Sequence, residues 1–135
     1  MKVMFDINVV LDIVAHRHPF YEDSSAAYLK VIGDGDDPCL SVHALSTLYY
    51  LLGSASTRKQ RRAAMDWIFA AFKVAGLSAD EVEIARTLGL SDFEDALVVA
   101  AAQSSGCSCI VTRNVRDFSR CGMRVADPVG YVRLP

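Results

Sequence analysis

Short apolar runs alternate with stretches of helical spacing along the whole chain. The first run, Lys2-Val3-Met4-Phe5, breaks at Asp6, and Ile7-Asn8-Val9-Val10-Leu11-Asp12 follows at once. That order predicts a buried strand delivering a carboxylate at its C-terminal end, then a helix over 8–14 with Val10, Leu11 and Val14 on one side. His16-Arg17-His18-Pro19 breaks this helix. Pro19 at a first helical position predicts a second helix through Ile32, carried by Phe20, Ala27, Tyr28, Val31 and Ile32. Gly33 to Pro38 is a turn cluster, and Cys39-Leu40-Ser41-Val42 reads as a second strand. A helix is predicted over 43–52 (Leu45, Leu48, Tyr49, Leu52), closed by Gly53 and Ser54, and a long amphipathic one over 58–74 (Ala64, Trp67, Ile68, Ala71, Phe72). After Gly76-Leu77, Ser78-Ala79-Asp80-Glu81 has the form of an N-cap with acids in the first turn. Residues 96–102 are apolar on every side, as in a buried helix, and Cys109-Ile110-Val111-Thr112 reads as a buried strand. Met123-Arg124-Val125 is the candidate last edge strand. Strands alternating with helices, without repeats or a long linker, predict one three-layer α/β domain over 1–135 on a small parallel sheet.

Composition narrows the class. A chain of 135 residues suits one domain and buries roughly 68–70% of its unfolded surface, so it needs no metal or disulfide staple. The 52% hydrophobic and 22% charged content excludes a disordered chain. A formal net charge of −2 supplies no global drive toward nucleic acid. Arg58-Lys59-Gln60-Arg61-Arg62 is a dense basic run, read as a solvated helix face, and Arg113, Arg116, Arg120, Arg124 and Arg133 crowd the C-terminal quarter. Cys39, Cys107, Cys109 and Cys121 form no C-x-x-C pair and read as buried free thiols. No signal-peptide pattern opens the sequence and no apolar stretch reaches the roughly 20 residues of a membrane span. The expectation is a reduced, soluble, cytoplasmic protein.

Beyond the ends of parallel strands lies the crevice where α/β proteins bind ligands, so Asp6 is a candidate metal ligand, nucleophile or helix N-cap. A second acidic group, Ser91-Asp92-Phe93-Glu94-Asp95, precedes the apolar helix. Ser91 with Glu94 three residues on reads as a capping box, which accounts for Glu94, and the helix dipole suits Asp92. Asp95 then falls at the fourth helical position and shares a face with Val98, Val99 and Ala102. A carboxylate there is costly unless paired, hydrogen-bonded or bound to a cation. The third group, Thr112-Arg113-Asn114-Val115-Arg116-Asp117-Phe118, leaves a buried strand at the same edge as Asp6. Asn114 or Asp117 alone reads as a turn cap. Together the three regions bring Asp6, Asp92, Asp95, Asn114 and Asp117 to one edge. Converging carboxylates repel unless a cation lies between them, and oxygen donors without His or Cys suit Mg²⁺ or Mn²⁺.

These three stretches, in order and over nearly the full length, resemble the PIN-domain family, in particular its small VapC-type toxin nucleases. The carriers are Phe5-Asp6-Ile7-Asn8-Val9-Val10-Leu11-Asp12, the run from Asp92 through Ala102, and Ile110 through Phe118. The resemblance implies a Rossmann-like domain, an acidic pocket for Mg²⁺ or Mn²⁺, and hydrolysis of RNA phosphodiester bonds. It places Asp6 as the first acid, Asp95 as the third, and Asp117 or Asn114 as the fourth. Asn8 is a polar pocket residue and Thr112 the usual Thr of that loop. It also implies a cognate antitoxin and a homodimer, with the apolar helices around Leu45–Leu52 and Ala64–Phe72 as candidate faces. The chain departs from the family pattern in three places. The helix after strand two normally supplies a Glu, but the equivalent position falls near Thr47 and no acid is present. Ile7 replaces the usual Thr or Ser, and Asn114 stands where many relatives carry Asp. Asp92 partly compensates, as in a subgroup with an Asp-x-x-Asp-like middle motif.

The expected active form holds its metal on Asp6 and Asp95, with Asp92 and Asp117 direct or through water. Asp6, Asp95 and Asp117 are the expected catalytic residues, and Arg113 and Arg116 the expected grips on the RNA backbone. Two alternatives stand beside this. One is a PIN-fold protein that binds RNA or a protein without cutting, motivated by the missing Glu. The other is a phosphotransfer domain, which Asp6-Ile7-Asn8 argues against because a second acid is wanted where Asn8 stands. His16 and His18 read as loop residues, His43 as an early helix residue near the pocket, and Tyr49, Tyr50 and Trp67 as core or interface.

Overall fold

The computed structural model describes residues 1–135. Its centre is a five-stranded sheet in the order β3-β2-β1-β4-β5, with every neighbouring pair parallel. The strands are β1 (Lys2–Phe5), β2 (Asp37–Ser41), β3 (Lys73–Ala75), β4 (Cys109–Val111) and β5 (Arg124–Ala126). Between them run α1 (Ile7–Val14), α2 (Tyr21–Gly33), α3 (Val42–Gly53), α4 (Arg58–Ala71), α5 (Ala79–Thr87) and α6 (Phe93–Ser104). A 3-10 turn over Val115–Phe118 and α7 (Pro128–Val132) complete the chain.

The alternation of side chains along each strand sorts the core into two layers. Val3, Phe5, Leu40, Cys109 and Val111 face one way, against Val9 and Val10 of α1, Val31 of α2, Leu48 of α3 and Ile68 of α4. Met4, Cys39 and Ile110 face the other way, against Val98, Val99, Ala101 and Ala102 of α6. The sheet is thus covered on both faces, which is why its strands are nearly continuous apolar runs. The all-round apolar character of α6 has the same origin, since α5 closes over its outer side through Ala85, Ala96 and Ala100.

The chain winds outward from β1 through β2 to β3, then returns to β4 on the other side of β1 and ends at β5. The strand order therefore reverses between β1 and β4, and the crevice at their C-terminal ends is the switch point where ligands bind in such sheets. At the opposite edge, glycines with positive φ make the turns: Gly35 (φ 78°) before β2 and Gly106 (φ 76°) before β4.

Several boundaries differ from the expectations. The helix predicted over 58–74 stops at Ala71. Phe72 turns extended (φ −122°, ψ 142°), and Lys73-Val74-Ala75 pairs with Cys39, Leu40 and Ser41 as the edge strand β3. Only Ala75 of this strand is buried, so it carries no alternating signal of its own. Pro19 does not start α2. The helix begins at Tyr21, with Phe20 at the N-cap, after a cis His18–Pro19 peptide. Strand two begins at Asp37, inside the predicted turn cluster. The N-cap predicted at Ser78 is present, and the structure extends it to a capping box, with the Glu81 side chain accepting from the Ser78 N–H at 2.7 Å.

Candidate functional site

Asp6 ends β1 and caps α1. Its Oδ1 accepts from the Ile7 N–H at 2.8 Å, satisfying the first free N–H of α1. Its Oδ2 accepts from the Thr112 hydroxyl at 2.8 Å, and its own N–H donates to the Val111 carbonyl at 3.0 Å. Thr112 follows β4, so this bond bridges the two strands of the switch point, and its oxygen also accepts from the Asn114 N–H at 3.0 Å. Asp6 is only 4% exposed. Burial raises its carboxyl above the ordinary range, opposed by these hydrogen bonds and reinforced by the nearby charge of Glu94.

The N-terminus of α6 differs in detail from the expected capping box. Asp92, not Ser91, is the N-cap, and its side chain accepts from the Asp95 N–H at 3.1 Å. Asp95 is therefore the third helical residue rather than the fourth, and Ala96 takes the fourth position, fully buried. Ser-x-x-Glu and Asp-x-x-Asp are offset in this segment by one residue, and the second frame wins. Asp95 is half-buried, and its carboxyl is pushed up to about 7. Burial is the largest cause, followed by repulsion from Asp92, Asp6, Asp117 and Glu94.

One pocket gathers these groups. Asp6, Ile7, Asn8, Thr47, Leu51, Asp92, Glu94, Asp95, Val98, Asn114 and Asp117 line it, so its ionisable lining is carboxylate only. Six residues expected at the site thus meet: Asp6, Asn8, Asp92, Asp95, Asn114 and Asp117. Thr112 lies beneath them, fully buried against Asp6. The acids ring the pocket; no three of them stand close enough together for one ion to touch all three. Asp117 is exposed, so rotation of its side chain can carry its oxygens inward.

Two arginines expected beside the pocket take different places. Arg113 points away from the acids. Its Nε donates to Asp12 Oδ2 at 2.8 Å, and its guanidinium stacks 3.9 Å above the Phe20 ring. Asp12 is fully buried and also accepts from Ser24 (3.0 Å) and Arg17 (2.9 Å), so Arg113 completes a network that ties the strand β4 exit to α1 and α2. Its neighbour Thr112 takes the pocket side, as expected of successive extended residues. Arg116 is exposed on the 3-10 turn, next to Asp117. The basic run of α4 does not line the acidic pocket. His43 bonds Ser41 through Nδ1 at 2.6 Å, and burial lowers its pKa; it also stays outside the pocket lining.

Sequence reasoning misses two polar residues of the pocket. Glu94 reads as a capping residue, and Thr47 stands out only for lacking a carboxylate. The Thr47 hydroxyl in fact donates to Glu94 Oε1 at 2.7 Å.

Solved structures share this architecture. VapBC2 from Rickettsia felis, bound to a promoter DNA fragment, aligns with a TM-score of 0.72 at 17% identity, over 94% of this chain and 98% of that one. FitAcB from Neisseria gonorrhoeae aligns at 0.72 and 16% identity, over 93% and 97% of the two chains. The sarcin-ricin-loop-cleaving toxin VapC20 from Mycobacterium tuberculosis aligns at 0.64 and 16%, over 80% and 86%. No curated protein sequence matches the chain. The family model described as PIN domain matches residues 2–116, a span that holds β1, α6 and the loop after β4 with all the acids but Asp117. On that match and this fold, the chain belongs to the PIN-domain family.

Proposed function

We propose that this protein is a metal-dependent endoribonuclease that hydrolyses RNA phosphodiester bonds, and that it serves as the toxin of a toxin–antitoxin pair. The observation that carries the nuclease reading is the gathering of Asp6, Asp92, Glu94, Asp95 and Asp117 at the switch-point crevice, with oxygen as the only donor type. That donor set fits a hard divalent cation, Mg²⁺ or Mn²⁺. The toxin reading draws on structural relatives that are themselves toxin–antitoxin proteins, among them one described as cleaving the sarcin-ricin loop.

Asp6 and Asp95 would hold the cation, with Asp92 and Asp117 direct or through water. A bound cation lowers the pKa of a coordinated water and stabilises charge developing on the phosphoryl oxygens. The protein's own contribution is arrangement. Thr112 and the Ile7 N–H fix both oxygens of Asp6, and the Asp92 cap sets the rotation of the first turn of α6, from which Asp95 projects. Asn8 and Asn114 add amide groups to the rim, where they can orient water or phosphate. A polyanion meets a carboxylate-lined pocket only with help from nearby cations. Arg116 is assigned that part, and Arg113 the organisation of the loop from beneath, since its charge is engaged by Asp12.

The test is cleavage of a mixed single-stranded and hairpin RNA pool with Mn²⁺, Mg²⁺ or chelator, comparing wild type with Asp6→Asn. Asn caps a helix as well as Asp does, so the variant keeps α1 while losing the charge. Its metal-dependent rate is expected to fall by about two orders of magnitude or more. In the Asp6→Asn background, Arg116→Ala is expected to flatten the salt dependence of RNA binding by roughly one phosphate contact. Folded wild-type protein that binds RNA yet cuts nothing with any metal would replace the nuclease with the binding-only PIN domain, the reading favoured by an α3 without an acid.

A further inference from the structure

One carboxylate in the pocket has no part in capping its own helix. Glu94 is the second residue of α6, one turn position before Asp95, and Asp92 already supplies the cap. The Glu94 side chain instead crosses the crevice to α3, where Thr47 donates to Oε1 at 2.7 Å. This bond joins residues 47 apart in sequence and links a helix on one face of the sheet to a helix on the other. Oε2 makes no hydrogen bond, and Glu94 and Thr47 both line the pocket that holds Asp6, Asp92, Asp95 and Asp117.

A first-turn glutamate is favoured by the helix dipole wherever its side chain points. The dipole therefore accounts for the charge of Glu94 and not for its direction. An exposed glutamate left to itself keeps its rotamer freedom, which fixing it in one place removes. Here the Thr47 bond holds it against the α3 wall. Residues 42–53 contain neither Asp nor Glu, so that wall has no carboxylate of its own.

Resting on the nuclease reading above, we infer that Glu94 is a cation-binding carboxylate of this pocket. Thr47 is the positioning residue that holds it on the α3 wall.

Mn²⁺ binding to the full chain by calorimetry, without RNA, tests this independently of cleavage. Wild type is compared with Glu94→Gln, Glu94→Ala, Thr47→Val and the relocated pair Thr47→Glu/Glu94→Thr, with thermal melts in chelator as the folding control. Both glutamate variants are expected to bind Mn²⁺ about ten- to a hundredfold more weakly while melting as wild type does. Using two of them keeps the test valid if one folds poorly. Thr47→Val, which removes the hydroxyl and keeps the carboxylate, is expected to show a smaller loss. The relocated pair is expected to regain most of the affinity. Glu94 variants that bind Mn²⁺ as wild type does overturn the assignment, and a relocated pair as weak as Glu94→Gln overturns the α3-wall position. Wild type that takes up no Mn²⁺ removes the metal-dependent reading itself, an outcome distinct from either.

Discussion

Asparagine in place of Asp95 is expected to abolish metal-dependent cleavage and, in chelator at pH 8, to raise the melting temperature by about 2–5 °C. Both effects come from one cause. The Asp95 carboxyl is held at about 7, first by burial and then by Asp92, Asp6, Asp117 and Glu94 around it. In the unfolded chain the same group ionises near the usual aspartate value, about 3.9. Between those two values the native state holds a proton that the unfolded state has released. Stability from this group therefore falls as pH rises from about 4 to about 7, and is level above. Asparagine carries no charge to crowd, so its advantage should be present at pH 8 and vanish toward pH 4. The gain is kept small because Asp95 is half-exposed and water screens part of the repulsion. Added Mn²⁺ should raise the wild-type melting temperature more at pH 8 than at pH 6, and raise that of the variant little at either. Melting curves across pH 4–8, with and without Mn²⁺, check this. A variant less stable than wild type at every pH would show that Asp95 is not under repulsion.

Asp12→Ala is expected to be the most destabilising single change outside the apolar core, at about 2–4 kcal/mol. Asp12 is fully buried, and Arg17, Arg113 and Ser24 all converge on its carboxylate. Removing it takes the carboxylate from both guanidinium groups and the acceptor from a hydroxyl, leaving Arg17 only its 3.3 Å bond to the Asn8 carbonyl and Arg113 only its stack on Phe20. The cost stays below that of a fully enclosed ion pair because both arginines retain some contact with water. Cleavage should fall as well, although Asp12 does not line the pocket, because Arg113 anchors the loop that carries Thr112 and Asn114. Arg113→Ala should cost less, since Arg17 and Ser24 still satisfy Asp12. Urea titration of both variants measures the difference. A loss under 1 kcal/mol for Asp12→Ala would mean that the arginines find equivalent partners.

Much of this arrangement is legible in the amino-acid sequence because it is local. Asp6 follows a buried apolar run and starts a helix within the same few residues, so its place at the strand end is written in consecutive positions. The same holds for the apolar helix after Asp95 and the strand before Thr112. What the sequence conceals depends on neighbours distant along the chain or on very short elements. β3 has three residues and borrows its definition from β2, and the apolar spacing of α4 runs straight into it. The frame of α6 turns on two cap signatures one residue apart. Arg113 and Thr112 are adjacent in sequence, yet one turns to Asp12 and the other to Asp6. The Thr47–Glu94 bond needs α3 and α6, from opposite faces of the sheet, brought to the two walls of one crevice, and no window of sequence contains both.

The direction of the sheet also divides the loops by what change they tolerate. With all five strands parallel, every strand exit lies on the side of the acids, while the turns at Gly35 and Gly106 lie behind. Lengthening a surface turn costs little, growing only slowly with the number of residues added. Evolutionary drift in length should therefore accumulate at those rear turns without altering chemistry. Insertions after β1, β2 or β4 would instead reshape the mouth of the crevice that gathers the acids.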